Sequence, residues 1–541
     1  MTHWRGFPVP AMQHEALYGD RLVRCFPERP KSFQALFAAS LARSPDAQAL
    51  TFEGQHWTYA HCDAIAQKLA AGFAGHGVGL GDRVVMLIDN RPEFVFTLLA
   101  LERLGAIAVP VGVREQKPGL TYIARQCGAT AIVVEATLAD RLPDRDEAPD
   151  LRLRCVMGEA PGCVPWASLM AGNGAGNRAS NGLVLLPADV AETDTAVILY
   201  TSGTTGHPKG AMLTHLNIAH SVLHYQACMQ LGPNDRSALA VPASHVTGLI
   251  AVIAAMLHVG GTIVIVPAFK AESFIALMQA ERVTHTLMVP AMYNLCLLHP
   301  SFSEADLGAW RIGGYGGAPM PIATIDALAA RLPGLTLINA YGATETTSPT
   351  TMMPAGGTRA HADTVGVALP AADIRVMDES GCEVRPGETG ELWIGGPMVV
   401  PGYWANPDAT AASFTAGYWH SGDLGSVDAE GYVRLFDRKK DMLNRGGFKI
   451  YSIEVEDVLA TWPGVLEAAI VARPCPVLGE RVHAFVYAPA TQPDDAALRA
   501  HCAARLSDYK VPETITWCDG PLPRNANGKL MKRLLRDRLG S

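Results

Sequence analysis

Several features are scarce or missing in these 541 residues, and each absence narrows the field. There is no excess of basic residues: 44 Lys and Arg against 52 Asp and Glu leave a formal charge of −8. With a pI near 6.1, the balance argues against a general nucleic-acid binder, which needs a basic face. The 11 cysteines are scattered, odd in number and without metal-ligand spacing. They fit a reducing cytoplasm better than a disulfide framework. The first residues, Met-Thr-His-Trp-Arg-Gly-Phe-Pro, lack the apolar core of a signal peptide, and no internal repeat is evident. Only one apolar run, residues 248–267, approaches the length of a bilayer crossing. His258 and the Gly260-Gly261 pair interrupt it, so it reads as a buried helix over 249–258, a turn, and a buried strand over 262–266. An integral membrane segment is not expected.

What is present describes a globular protein. Hydrophobic residues make up 49% of the chain and charged residues 18%, ordinary for a packed protein, and the length calls for two or more domains. From about residue 80 to 340, β-branched runs at 83–88, 106–111, 131–134, 196–199, 237–241, 262–266, 284–289 and 335–338 read as strands. Helical patterns at 92–104, 217–229, 272–280 and 321–332 lie between several of them. This alternation predicts α/β layers with largely parallel sheets, and the unbroken apolar character of the strands fits sheets covered on both faces. Residues 171–182, rich in Gly, Asn and Ala, read as a mobile surface loop. After about 365 the pattern changes to short strands at 374–377 and 391–394, expected as antiparallel hairpins. Beyond Asp437 a compact α+β unit is predicted, with helices near 453–460 and 495–507 and strands near 468–472 and 482–487. The domain boundary is set at 437/438, within a charged stretch.

The densest chemical signal runs from Tyr200 to Gly210: Tyr-Thr-Ser-Gly-Thr-Thr-Gly-His-Pro-Lys-Gly. Gly203, Gly206 and Gly210 allow close approach of backbone to a bulky anion, and successive N–H groups in such a turn form an anion-binding nest. Thr201, Ser202, Thr204 and Thr205 add hydroxyl donors, and Lys209 adds a mobile positive charge. The spacing is not that of Walker A, since Gly203 and Gly206 are only three apart. A polar, glycine-rich surface loop is the plainer alternative; the concentration of donors favours phosphate.

Further motifs follow in order. Gly316-Gly-Ala-Pro319 stands before Asn339 and Tyr341-Gly-Ala-Thr-Glu345, which closes a predicted strand, where α/β sheets bind ligands. Trp419-His-Ser-Gly-Asp423, Asp437-Arg-Lys-Lys-Asp441, Gly446-Gly-Phe-Lys449 and Pro523-Arg-Asn-Ala-Asn-Gly-Lys529 complete the set. Taken together, residues 200–529 resemble the AMP-forming adenylating enzymes: acyl-CoA synthetases, luciferases and peptide-synthetase adenylation domains. The first two hundred residues match only loosely.

The resemblance implies a fold and a division of labour. The fold is α/β: a large N-terminal domain (1–437) of layered sheets with a small β-barrel-like part, and a small mobile α+β domain (438–541) bearing the catalytic lysine. Tyr341 stacks on adenine, with Gly316, Gly317, Ala318 and Pro319 against its face and Asn339 at its amino edge. Gly342 belongs to the same turn, Thr344 contacts the α-phosphate, and Glu345 holds Mg²⁺, a hard cation commonly bound through one carboxylate plus phosphates. Asp423 and Arg438 serve the ribose, although either residue alone could be an ordinary turn or surface group. The catalytic set is Lys529, Thr204, Glu345 and His245. An ammonium at Lys529 offsets charge that builds when a carboxylate attacks the α-phosphorus. Lys532, Arg533, Arg536 and Arg538 are left as a solvated face.

Two steps are implied: an acid and MgATP give acyl-adenylate and pyrophosphate, then a thiol displaces AMP. Lys440 is the hinge about which the small domain swings between steps. Gly446 and Gly447, with Phe448 and Lys449, line the tunnel for the thiol of coenzyme A; a plain glycine turn is the alternative. His245, in Pro242-Ala-Ser-His-Val-Thr-Gly248, falls where many relatives gate the carboxylate pocket, but Ser244 replaces their bulky aromatic. A core histidine is the other reading. No aspartate in 242–248 awaits an α-amine, which weakens the peptide-synthetase option. The expectation is an ATP-dependent acid–CoA ligase for a largely apolar acid, medium-chain or aromatic. The alternatives are an acyl-AMP ligase loading a separate carrier protein and a non-catalytic nucleotide or acyl sensor. A homodimer is left open.

Overall fold

Strand-forming runs and amphipathic segments alternate through the first 370 residues, and a computed structural model shows how they close. It describes residues 4, 9–171, 186–201, 207–489, 494–524 and 530–539. The expected loop at 171–182 therefore lies, beyond Ala171, outside the described residues. The chain divides into two compact units. The larger comprises Met1–Ile374, Ile394–His420 and Gly431–Val433; the smaller comprises Arg375–Trp393, Ser421–Glu430 and Arg434–Ser541.

Two layered sheets build the larger unit. The first has seven strands in the order Lys209–Thr214, Thr195–Thr201, Ile107–Pro110, Arg83–Leu87, Ala131–Glu135, Leu153–Met157 and Val164–Pro165. All neighbours are parallel except the hairpin of the first two. The second sheet has nine strands, with a parallel centre of Thr336–Tyr341, Ile312–Tyr315, His285–Met288, Arg236–Leu239, Thr262–Ile265 and Gln48–Phe52. Antiparallel strands finish both of its ends. Largely parallel sheets with helical cover are the layered α/β architecture expected from the strand pattern.

Helix Pro92–Leu104 has the bounds its punctuation predicts. Pro92 opens the first turn, and Gly105 ends the helix in the left-handed region at φ 64°. The apolar run around residue 250 is helical but of a different kind: Thr247–Ala254 is a π-helix that passes into the α-helix Ala255–Val259. Gly248 is required there, because a Cβ would lie 2.3 Å from the Pro242 carbonyl oxygen. Among the described residues no helix is long and apolar enough to cross a membrane.

In the smaller unit Leu443–Arg445, Phe448–Ile450, Glu467–Cys475, Gly479–Tyr487 and Thr514–Trp517 form one sheet. Leu443, Ile450, Val455, Leu459, Ile470 and Val482 form its core. Helix Asp495–Ala503 stops short of the expected residue 507, since Asp508–Lys510 turns into a 3-10 segment.

Helix His215–Met229 carries three buried histidines that satisfy loop backbone. Ring nitrogens of His215, His220 and His224 accept the amides of Phe33 (3.1 Å), Phe26 (3.1 Å) and Ala371 (3.2 Å). Burial holds their pKa values down to about 4, about 4 and about 3 respectively. The Glu102 carboxyl beside His215, 3.8 Å away, is pushed up by the same burial. Each histidine titrates lower folded than unfolded, so the unfolded chain takes up protons first as the pH falls. Their stabilising contribution is complete above the unfolded value of 6.5 and drains as pH falls towards 4. Tm should therefore decline through this window, by several degrees at pH 5 relative to pH 7.5; a level Tm from pH 7.5 to 5 would contradict the role given to these rings.

Candidate active site

The hairpin formed by Thr195–Thr201 and Lys209–Thr214 places Thr201 opposite Lys209 in register. Gly210 is needed on its return arm, since a Cβ there would meet Ile198 Cγ2 at 2.7 Å and the Tyr200 ring at 3.2 Å. Segment 402–404 runs antiparallel beside that arm: Ala211 bridges Tyr403, Trp404 N donates to Gly210 O (2.7 Å), and Met212 N to Gly402 O (3.1 Å). Tyr403 is thereby held beside the return arm of the hairpin. Its hydroxyl donates to Glu345 Oε1 at 3.0 Å, and Thr201 Oγ1 donates to the same oxygen at 3.3 Å. Lys209 Nζ lies 4.9 Å from the Tyr403 ring centre. Burial, with the adjacent carboxylate, pushes the Tyr403 phenol up, so it stays protonated and donates. Glu345 itself is buried in the short 3-10 turn Thr344–Thr346, and its carbonyl accepts from Val400 N at 2.9 Å. The outgoing flank of the glycine-rich loop and the Tyr341–Glu345 motif thus meet at one carboxylate, and the Lys209 flank lies against the Tyr403 ring. The loop's own Ser202, Gly203, Thr204, Thr205 and Gly206 lie outside the described residues.

Tyr341 ends the strand Thr336–Tyr341, with Asn339 two residues before it. Asn339 is buried, and its Nδ2 donates to Thr364 O at 3.2 Å. Gly316 follows the neighbouring strand Ile312–Tyr315; a Cβ at 316 would sit 2.4 Å from Ala340 O, so glycine is demanded there by strand packing. Gly317 adopts φ +77°, and Gly317, Ala318 and Pro319 are exposed. Gly342, exposed, passes close to the backbone of Pro349 and Thr350. His245 is exposed and no core residue: its Nδ1 accepts Thr247 N at 3.3 Å, at the start of the π-helix. These groups lie at the carboxyl ends of parallel strands or on the loops that follow them, where such sheets take ligands.

In the smaller unit Asp423 and Arg438 form a pair, Nε to Oδ1 at 2.8 Å, with Asp423 buried. Arg438 also donates to Ser421 O at 3.2 Å. Gly446 (φ 60°) and Gly447 (φ 92°) make the two-residue turn joining Leu443–Arg445 to Phe448–Ile450, a backbone that strongly favours glycine at both positions. The described residues account for this glycine pair as a hairpin turn. Lys529 lies outside the described residues.

Sequence reasoning missed two features. Tyr403 carries no motif; the only hint is an aromatic pair, Tyr403-Trp404, near the end of the larger unit. The cations after Lys529 are also not a uniformly solvated face. Lys532 bonds Glu456 Oε1 and Ser452 Oγ, each at 2.6 Å, and Arg536 pairs with Asp441.

Residues 37–404 match the family described as AMP-binding enzyme, and residues 454–529 match its C-terminal domain. The chain belongs to that family. It is 34% identical to feruloyl-CoA synthase from Amycolatopsis sp over 92% of this chain and 97% of that protein. It is 32% identical to the long-chain-fatty-acid–CoA ligase FadD13 of Mycobacterium tuberculosis, over 89% and 92%. The ATP-bound MatB structure from Rhodopseudomonas palustris superposes with TM-score 0.84 at 30% identity, covering 94% and 99%. This AMP-binding enzyme is accordingly an AMP-forming acid–thiol ligase of the acyl-CoA synthetase class.

The donor set is consistent with Mg²⁺ at Glu345. Among the described residues no group of three or more His, Cys, Asp or Glu forms a cage, and a cation held mainly by phosphate oxygens needs only one carboxylate. Removing the hydroxyl with Tyr403→Phe strips Glu345 of a donor. Hydrogen bonds to charged groups contribute about 1.5–3 kcal/mol, so Tm should drop by a few degrees and kcat/KM for ATP should fall roughly tenfold or more; an unaltered kcat/KM would show that the phenol does no work at the site.

Proposed function

We propose that this enzyme joins a largely apolar carboxylic acid, medium-chain aliphatic or aromatic, to coenzyme A through an acyl-adenylate. The observation that carries the reading is the convergence of Thr201 and Tyr403 on the buried Glu345 carboxylate, with the Lys209 ammonium 4.9 Å from the Tyr403 ring centre. Such a point joins a phosphate-holding hairpin to a nucleotide-facing strand end. Residues 202–206 and Lys209 grip the β- and γ-phosphates. Tyr341, Asn339 and the 316–319 loop receive adenine, Gly342 lets the chain turn past it, and Thr344 donates to the α-phosphate. Glu345 would hold Mg²⁺, which would supply positive charge to the phosphates.

The Asp423–Arg438 pair takes the ribose hydroxyls, its carboxylate accepting and its guanidinium orienting. In the first half-reaction an oxygen of the acid attacks the α-phosphorus and pyrophosphate leaves; Lys529 donates to the oxygens on which charge builds. In the second, the thiol of coenzyme A gives its proton to water, its sulfur attacks the acyl carbon, and the bond to AMP breaks so that AMP departs. Domain 438–541 turns about Lys440 between the two, bringing Gly446 and Gly447 to the thiol path. His245, exposed at the head of its helix, sits at the mouth for the acid. Amino acids are disfavoured because the 242–248 segment offers no carboxylate to pair with an amine.

A panel of acids tests this directly. Medium-chain or aromatic acids should drive release of AMP with free CoA, and short polar or amino acids should not; preference for amino acids, or AMP release only with a carrier protein, would overturn it. Lys529→Ala should lower acid-dependent pyrophosphate exchange by about a hundredfold or more, as for loss of one charge-stabilising donor, while thioester formation from supplied acyl-adenylate changes much less. Equal losses in both steps would refute the assignment. Lys440→Pro should chiefly slow the second step, and normal overall turnover would dismiss the hinge.

A further inference from the structure

The last helix, Lys532–Leu539, presents two cations one turn apart, Lys532 and Arg536, on either side of Leu535, which is fully buried with Ala469, Val471, Phe485 and Leu522. Spacing of four residues puts both cations on one face. That face meets the two ends of the stretch Asp437–Asp441. At its start, Lys532 Nζ donates to Ser452 Oγ and Glu456 Oε1 at 2.6 Å each, and Ser452 Oγ donates to Asp437 Oδ1 at 3.1 Å. At its end, Arg536 is ion-paired with Asp441, and its Nη2 also donates to the carbonyl oxygen of Lys440 at 3.1 Å. The stretch is further closed on itself by Asp441 N and Met442 N donating to Arg438 O at 2.8 and 3.0 Å.

A carbonyl oxygen reports the ψ angle of its own residue, so a guanidinium fixed on Lys440 O restrains the torsion that a hinge at 440 must change. Anchoring the same guanidinium on Asp441 makes this a two-point grip. The Arg536 side chain remains 29% exposed, so the grip can open without exposing buried apolar surface. The helix that supplies it begins three residues after Lys529. We propose that Arg536 is a positioning residue that clamps the Lys440 peptide and couples hinge torsion to the last helix. The functional half of this inference rests on the two-step reading above; the clamp itself does not.

Two measurements on the full-length chain separate these. Arg536→Ala should accelerate hydrogen exchange of the amides at 440–442 by about tenfold, the local opening expected when a tertiary anchor is lost, and Asp441→Asn should do the same. Unchanged exchange in both variants overturns the clamp whatever the enzyme's substrate. With a turned-over acid, Arg536→Ala should change the ratio of adenylation to thioester-forming rate by about fivefold or more, Arg536→Lys should restore part of it, and Tm should hold within a few degrees. A ratio within twofold of the parent, or equal loss in both steps alongside a lower Tm, reduces Arg536 to a structural residue and overturns the coupling. Absence of any acid-dependent pyrophosphate exchange in the parent chain would instead condemn the two-step reading, and the exchange result at 440–442 would still decide the clamp.

Discussion

A buried carboxylate with two hydroxyl donors organises the larger unit. Glu345 Oε1 accepts from Tyr403 and from Thr201, and each donor reaches it from a different piece of chain. Thr201 comes from the outgoing arm of the glycine-rich hairpin and Tyr403 from the strip that runs beside the return arm. Hydrogen bonds to an ionised group inside a protein are strong because the medium around them is poor in competing water. The carboxylate therefore fixes the spacing between a hairpin of one sheet and a strand end of the other, and it does so at the site where a nucleotide's phosphates would lie.

The smaller unit solves a different problem. On the proposed reading one of its segments changes torsion, and a segment that does so cannot be buried among apolar side chains, because each change would cost core packing. Asp437–Asp441 is instead held by polar groups: Ser452, Lys532 and Glu456 at one end, Arg536 at the other. Burial pushes both the Asp437 and Glu456 carboxyls up while the Lys532 ammonium opposes it. The Arg536 end is more exposed and easier to release. A held start and a more exposed end suit the pivot proposed at Lys440.

Much of this was legible in the chain, for reasons that can be named. Helix Pro92–Leu104 announced itself because Pro and Gly mark its two ends. The parallel strands stood out because burial on both faces leaves continuous apolar runs. Gly446-Gly447 was visible as special, and the left-handed backbone at both positions explains why. The π-helix at Thr247–Ala254 was not legible, since a wholly apolar run has no polar face to show its period. Nor was Tyr403, whose partner lies 58 residues away in sequence. Lys532 and Arg536 looked like a solvated charge run because their acidic partners, Glu456 and Asp441, sit far upstream. Contacts of that kind are made by the fold and leave no local pattern.

If Glu345 is the point at which protein, metal and phosphates meet, its charge must govern how magnesium affects nucleotide binding. The most direct measurement is calorimetric titration of ATP into the parent chain and into Glu345→Gln, with and without Mg²⁺. The account predicts that Mg²⁺ tightens ATP binding to the parent and that Glu345→Gln abolishes most of that gain while the metal-free Kd changes little. Equal tightening by Mg²⁺ in both proteins would contradict it.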